Sequence, residues 1–182
     1  MSTVQVLDTV VPTAVPAGTW HVDAAHSQVD FAIKHLAIST IRGTFSDVSA
    51  TLLGGDTQTL AGSIRIASVA TKDEARDQHL LAPDFFDADR YPEATFTATF
   101  ISPEKVVGDF TLKGITREIE LSATFTGPAT DPYGHERVGI DLEGELDRTE
   151  YGITFNMPLP TGGLALGEKV KLSASLSFVK EA

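Results

Sequence analysis

Apolar and polar residues alternate one by one along most of this chain. In SQVDFAIKH (27–35), Val29, Phe31 and Ile33 share one parity while Asp30 and Lys34 take the other. In TFTATF (95–100), Phe96, Ala98 and Phe100 oppose three threonines, and in TREIELSATF (116–125), Ile119, Leu121, Ala123 and Phe125 oppose Glu118, Glu120, Ser122 and Thr124. Ile140, Leu142 and Leu146 oppose Asp141, Glu143, Glu145 and Asp147. The pattern recurs at Val170, Leu172, Ala174, Leu176 and Phe178, opposed by Lys169, Lys171 and serines. A period of two with one apolar parity marks antiparallel strands that bury one face and wet the other. Shorter strands are predicted around 44–53, 63–67 and 106–113, punctuated by Gly54-Gly55, Gly127-Pro128, Asp131-Pro132 and Gly162-Gly163. The pattern predicts an all-β chain of about eight to ten strands, with no βαβ alternation to make a parallel sheet.

One segment departs from this rhythm. Thr71-Lys72-Asp73-Glu74 has the form of a capping box and predicts one short α-helix over 72–81, which must stop before Pro83. Phe85 and Phe86 follow in a turn. One-sided strands fit either a two-sheet sandwich or a closed barrel, and periodicity does not choose between them.

Composition narrows the function classes. The 182 residues suit one domain, with residues 1–17, broken by Pro12 and Pro16, read as a flexible arm and 18–182 as the folded unit. A formal net charge of −11 opposes the counterion release that drives nucleic-acid binding, so no nucleic-acid partner is expected. The absence of cysteine excludes disulfides, thiolate catalysis and zinc–thiolate sites. The N-terminal residues lack the basic start and continuous apolar stretch of a secretory signal, so a cytoplasmic protein without stable membrane insertion is expected.

The strongest chemical candidates have ordinary alternatives. Asp141, Glu143, Glu145 and Asp147 form a row spaced about 6.6 to 7 Å apart on one strand face. Their opposite face is apolar, so the row reads as solvated and within reach of Lys169 and Lys171 on the next strand. The histidines at 21, 26, 35, 79 and 135 include no HExxH pair, and adjacent strand residues His26 and Ser27 point apart and cannot act as base and nucleophile. A metal or haem site from a spread pair such as His26 and His79 is a minor alternative. Arg76, Asp77 and His79 on the lone helix, next to Leu80, Phe85 and Phe86, are candidates for the polar end of a ligand site. The same Asp77 and His79 would carry acid–base chemistry if the protein were a lipid-modifying enzyme. No cofactor is implied by any motif.

Over about 19–179 the chain resembles the YceI-like family of lipid- or polyisoprenoid-binding proteins. The stretches that carry the likeness are WHVDAAHSQVDFAIKHL (20–36), RGTFSDV (42–48), RDQHLLAPDFFDADRYPEATF (76–96), GDFTLKGITREIEL (108–121), RTEYGI (148–153) and LGEKVKL (166–172). Lys113 stands where relatives often have histidine, and Tyr151 where they often have phenylalanine. The resemblance implies an extended, lipocalin-like antiparallel β-barrel with an interior tunnel, frequent homodimers and no established catalysis. It implies a carrier for a long-chain amphipathic lipid such as a polyisoprenoid or isoprenoid quinone. The interior candidates are Phe31, Ile33, Phe45, Ile64, Ile66, Leu80, Phe85, Phe86, Phe96, Phe100, Phe110, Leu112, Ile140, Phe155 and Leu172. A barrel packed solid by its own phenylalanines, serving as a structural or interaction domain, is the remaining alternative.

Overall fold

The computed structural model describes residues 15–182. The alternating segments form β1 (Gly18–Val22), β2 (Gln28–His35), β3 (Ser39–Phe45), β4 (Val48–Gly54), β5 (Thr59–Arg65) and β6 (Val69–Ala70). After helix α1 (Glu74–Leu81) come β7 (Glu93–Ile101), β8 (Lys105–Leu112), β9 (Ile115–Thr130), β10 (Glu136–Asp147) and β11 (Leu166–Lys180). All pairings are antiparallel, and the order β1-β4-β5-β7-β8-β9-β10-β11 closes on itself because β1 also pairs with β11. This is a closed eight-stranded barrel. Closure removes free strand edges, which a one-sided sheet would otherwise expose.

β11 forks the wall. Its C-terminal residues pair with β1, through Val22↔Phe178, while its N-terminal part pairs with β2, through Phe31↔Leu172. β1 and β2 are therefore two parts of one bent strand, broken by a 3-10 turn at Ala24–His26 that Asp23 caps by accepting from Ala25 N at 3.2 Å. β3 and β4 bend in the same way at Ser46-Asp47, so the strand expected over 44–53 is two strands. β2, β3 and the short β6 form a flap continuous with the barrel at the end where α1 lies.

Two apolar clusters divide the interior. At the base, Trp20 and Phe178 are fully buried and pack with Leu52, Val106 and Ile140, and Trp20 Nε1 donates to Pro16 O at 3.1 Å. Val15, also in this cluster, is buried; residues 1–14 of the expected arm lie outside the described residues. At the opposite end, Phe45, Ile66, Leu112, Leu146, Tyr151 and Ile153 form a second cluster under α1 and the segment that follows it.

The capping box takes a different form from the expected one. Asp73, not Thr71, caps α1 by accepting from Arg76 N at 3.0 Å, and the helix begins at Glu74. The Thr71 hydroxyl donates to Asp77 Oδ1 at 2.6 Å instead. The acidic row on β10 faces outward as expected, with Glu145 opposite Lys171, and Lys169 Nζ 3.8 Å from Asp147.

Candidate ligand-binding cavity

Between the two clusters the barrel holds a cavity of about 560 Å³. That volume lies within the ~300–1,000 Å³ usual for small-molecule sites. Strand parity builds its wall, because every second residue of each strand turns inward. β2 contributes Phe31 and Ile33, β3 contributes Phe45, β5 contributes Ile64, β7 contributes Phe96, β8 contributes Phe110 and Leu112, and β11 contributes Leu172. Leu80, Phe85, Phe86 and Phe155 cover the end under α1, and all four line the same cavity. The rings make a continuous surface: Phe31–Phe45 centroids are 5.7 Å apart and Phe45–Phe86 5.8 Å, the latter edge-to-face. His79, Phe85 and Phe155 form a triangle with centroids 5.0 to 5.2 Å apart.

Three interior candidates lie elsewhere, each for a definite reason. Phe100 is 44% exposed, because a β-bulge between Ala98 and Phe100 shifts the register of β7 against β8. Past the bulge the parity inverts, and Ile101 takes the inward place. Ile140 has the right parity but the wrong depth, since it is packed in the base plug with Trp20 and Phe178. Ile66 sits in a 3-10 turn after β5 and packs behind the wall, in the cluster under α1.

The polar candidates also separate. Arg76 and His79 line the cavity, whereas Asp77 does not. Asp77 Oδ1 accepts from Thr71 N and Oγ1, and His79 Nε2 lies 3.1 Å from Asp84 Oδ2, so the two are not arranged as an acid–base pair. His26, paired with Asp23 at the base, is at the far end of the barrel from His79. Among the described residues no group of three or more His, Asp or Glu gathers as a metal site.

Residue reasoning missed a buried charged member of the wall. Arg148, in the 3-10 turn Arg148–Tyr151 after β10, lines the cavity and is only 4% exposed. Its Nε donates to Gly167 O at 2.8 Å, and its Nη1 to Ile153 O at 2.8 Å and Phe155 O at 2.9 Å. Burial presses its pKa down, while the nearby Glu168 and Asp147 push it back up. The only sequence signal was its place at the head of the RTEYGI stretch, since a basic residue after an acidic strand otherwise reads as surface. In the same turn Tyr151 is buried with its ring 5.7 Å from Phe110, and burial raises its pKa. Its hydroxyl is the one buried side-chain polar atom without a partner among the described residues.

Ser39 at the start of β3, His79 on α1 and Met157 in the segment before β11 line the cavity and are exposed, which puts its opening where these elements meet. Leu36 and Ile38 in the β2–β3 turn and Met157 and Leu164 in that segment are exposed apolar residues, Ile38 at 83%. Leu36 N donates to Ala165 O at 2.8 Å, joining the turn to the segment, and Ala165 N donates to Met157 O at 2.9 Å within the segment. An apolar rim therefore flanks the mouth.

A family model for the YceI-like domain matches residues 20–178. A UPF0312 protein of Staphylococcus aureus (strain USA300) is 42% identical over 161 residues, which is 86% of this chain and 94% of that protein. Among solved structures, BcnA of Burkholderia cenocepacia superposes with a TM-score of 0.73 at 22% identity, covering 86% of this chain and 98% of that one. A polyisoprenoid binding domain from Saccharophagus degradans gives 0.66 at 16% identity, covering 89% and 98%.

Proposed function

The chain belongs to the YceI-like domain family, and from that premise we propose that it binds and carries a long-chain amphipathic lipid, of polyisoprenoid or isoprenoid-quinone type, without altering it chemically. The observation that carries this reading is the blind apolar cavity, walled by phenylalanine and aliphatic side chains and plugged at its base by Trp20 and Phe178. Each Å² of apolar surface moved from water into such a wall contributes roughly 25 cal/mol, so a prenyl chain binds by burial with few polar contacts. The polyisoprenoid binding described for the S. degradans domain of the same fold agrees with this choice of guest. The apolar rim at the mouth shortens the passage of such a guest through water. A carrier rather than a catalyst is favoured because Asp77 and His79 are bonded to different partners. The homodimer implied by the resemblance belongs to the same proposal, and sedimentation of the purified protein tests it.

The test is solvent extraction and native mass spectrometry of gently purified protein, followed by titration with geranylgeraniol. Retention of an apolar molecule, or stoichiometric uptake of the prenol, is the expected result. Protein that carries nothing and takes up neither a prenyl nor an acyl probe overturns the proposal.

A further inference from the structure

A guanidinium carries five N–H donors and no acceptor. In Arg148 three of them are used, by the carbonyls of Gly167, Ile153 and Phe155. Both remaining donors sit on Nη2, which makes no hydrogen bond among the described residues. Nη2 is also not sealed in protein, because Tyr151 Oη is the one buried side-chain polar atom there without a partner. An unbonded Nη2 on a residue that lines the cavity is therefore open to the cavity itself.

The charge around it is only partly balanced, by Glu168 and Asp147 acting from beyond ion-pair distance. The chain carries 25 acidic residues against 14 basic ones, yet among the described residues no carboxylate lies within ion-pair distance of Arg148. The neighbouring Asp147 is turned to Thr149, at 2.6 Å from its hydroxyl, and to Lys169. Among the described residues Asp30 is the one acidic residue of the cavity wall; its strand parity, opposite to Phe31, turns its carboxylate outward to Thr44 and Gln28. Arg76, whose Nε and Nη2 donate to Thr71, also lines the cavity, as do His35 and His79. Buried donors without acceptors are costly, and a buried cation without a counter-charge more so. A ligand oxygen bearing negative charge satisfies both needs, because a charged acceptor at Nη2 takes up the remaining donors and balances the cation.

We propose that Arg148 is the head-group anchor of the cavity and that the guest is an acidic amphipath, an apolar chain ending in a phosphate or carboxylate held at Nη2. This deepens the carrier reading and rests on it. The chain end of the guest lies toward the base plug and the acidic head at the mouth, beside Arg76. The apolar wall then sets affinity for the chain, and Arg148 sets preference among heads.

The test compares two probes that share one chain, geranylgeranyl monophosphate and geranylgeraniol, so that apolar burial cancels. The unaltered protein is expected to bind the monophosphate about tenfold or more tightly than the alcohol. In Arg148→Met that preference, read as the ratio of the two affinities so that any change of the wall common to both probes cancels, is expected to fall to within about threefold. Equal binding of both probes by the unaltered protein overturns the inference and leaves the carrier reading standing, whereas binding of neither overturns both. A preference that survives Arg148→Met overturns the assignment to Arg148. Because Arg148 also holds three carbonyls, nitrogen NMR of the unaltered protein puts the same question without a variant. The Arg148 guanidinium resonances are expected to shift on addition of the monophosphate and not of the alcohol; resonances that ignore the monophosphate reject the proposal.

Discussion

At the scale of single residues, Tyr151 shows how one atom can be out of keeping with its surroundings. Its ring fills the cluster under α1, but its hydroxyl is buried without a partner. An unsatisfied buried hydroxyl costs about 1–3 kcal/mol, whereas the same ring without it costs nothing of the kind. Tyr151→Phe is therefore expected to raise stability by about 1 kcal/mol, read as a higher urea midpoint at unchanged slope. A lower midpoint would mean that the hydroxyl has a partner that this geometry lacks. Arg148, three residues earlier, is the opposite case, because most of its donors are satisfied and the rest face the cavity. Neither burial was legible in the residues alone. An arginine and a tyrosine after an acidic strand look like surface until the 3-10 turn folds them inward, and that turn depends on the left-handed Gly152 that follows, at φ 71°.

At the scale of elements, close cross-strand packing builds the wall. Phe31 on β2 pairs with Gly43 on β3, and a Cβ placed on Gly43 would lie 2.3 Å from the Phe31 ring. The ring lies over the glycine because no side chain stands there. Gly43→Ala is expected to push Phe31 off its place, costing about 1–3 kcal/mol by overpacking and weakening uptake of geranylgeraniol. Denaturation and probe titration check both effects, and full affinity in the variant would show that Phe31 has no fixed role in the wall. Strand faces were legible here, since Phe31, Ile33, Phe96, Phe110 and Leu172 all lie on the predicted parity. The bulge in β7 was not. One extra residue costs little locally, and only the pairing with β8 reveals it, so Phe100 was placed on the wrong face.

Across the whole molecule, the base is tied by charge as well as by packing. Arg137 on β10 bridges Asp131 at 2.8 Å and Asp23 at 2.9 Å, joining the β9–β10 turn to the break between β1 and β2. Its guanidinium, with help from His26 at Asp23 and from the backbone at Asp131, holds both carboxyls below the usual Asp value of 3.8. Carboxylates with a depressed native pKa contribute stability above their unfolded pKa and lose it as pH falls through the folded value. Stability is thus expected to drop as pH falls below about 4. Arg137→Met should be less stable at neutral pH and flatter in its acid dependence, as urea midpoints measured between about pH 5 and about pH 2 would register; parallel curves would remove the network from the account. The amino-acid sequence by itself determined the all-β class, the inward and outward faces, the outward acidic row and the single helix near 72–81, because alternation and capping act between residues close in the chain. Closure by β1 on β11, the depth at which Ile140 stops being wall and becomes plug, and the burial of Arg148 were decided only by the tertiary structure. Each depends on which distant segment a strand meets, and a period of two says which way a side chain points without saying what it meets there.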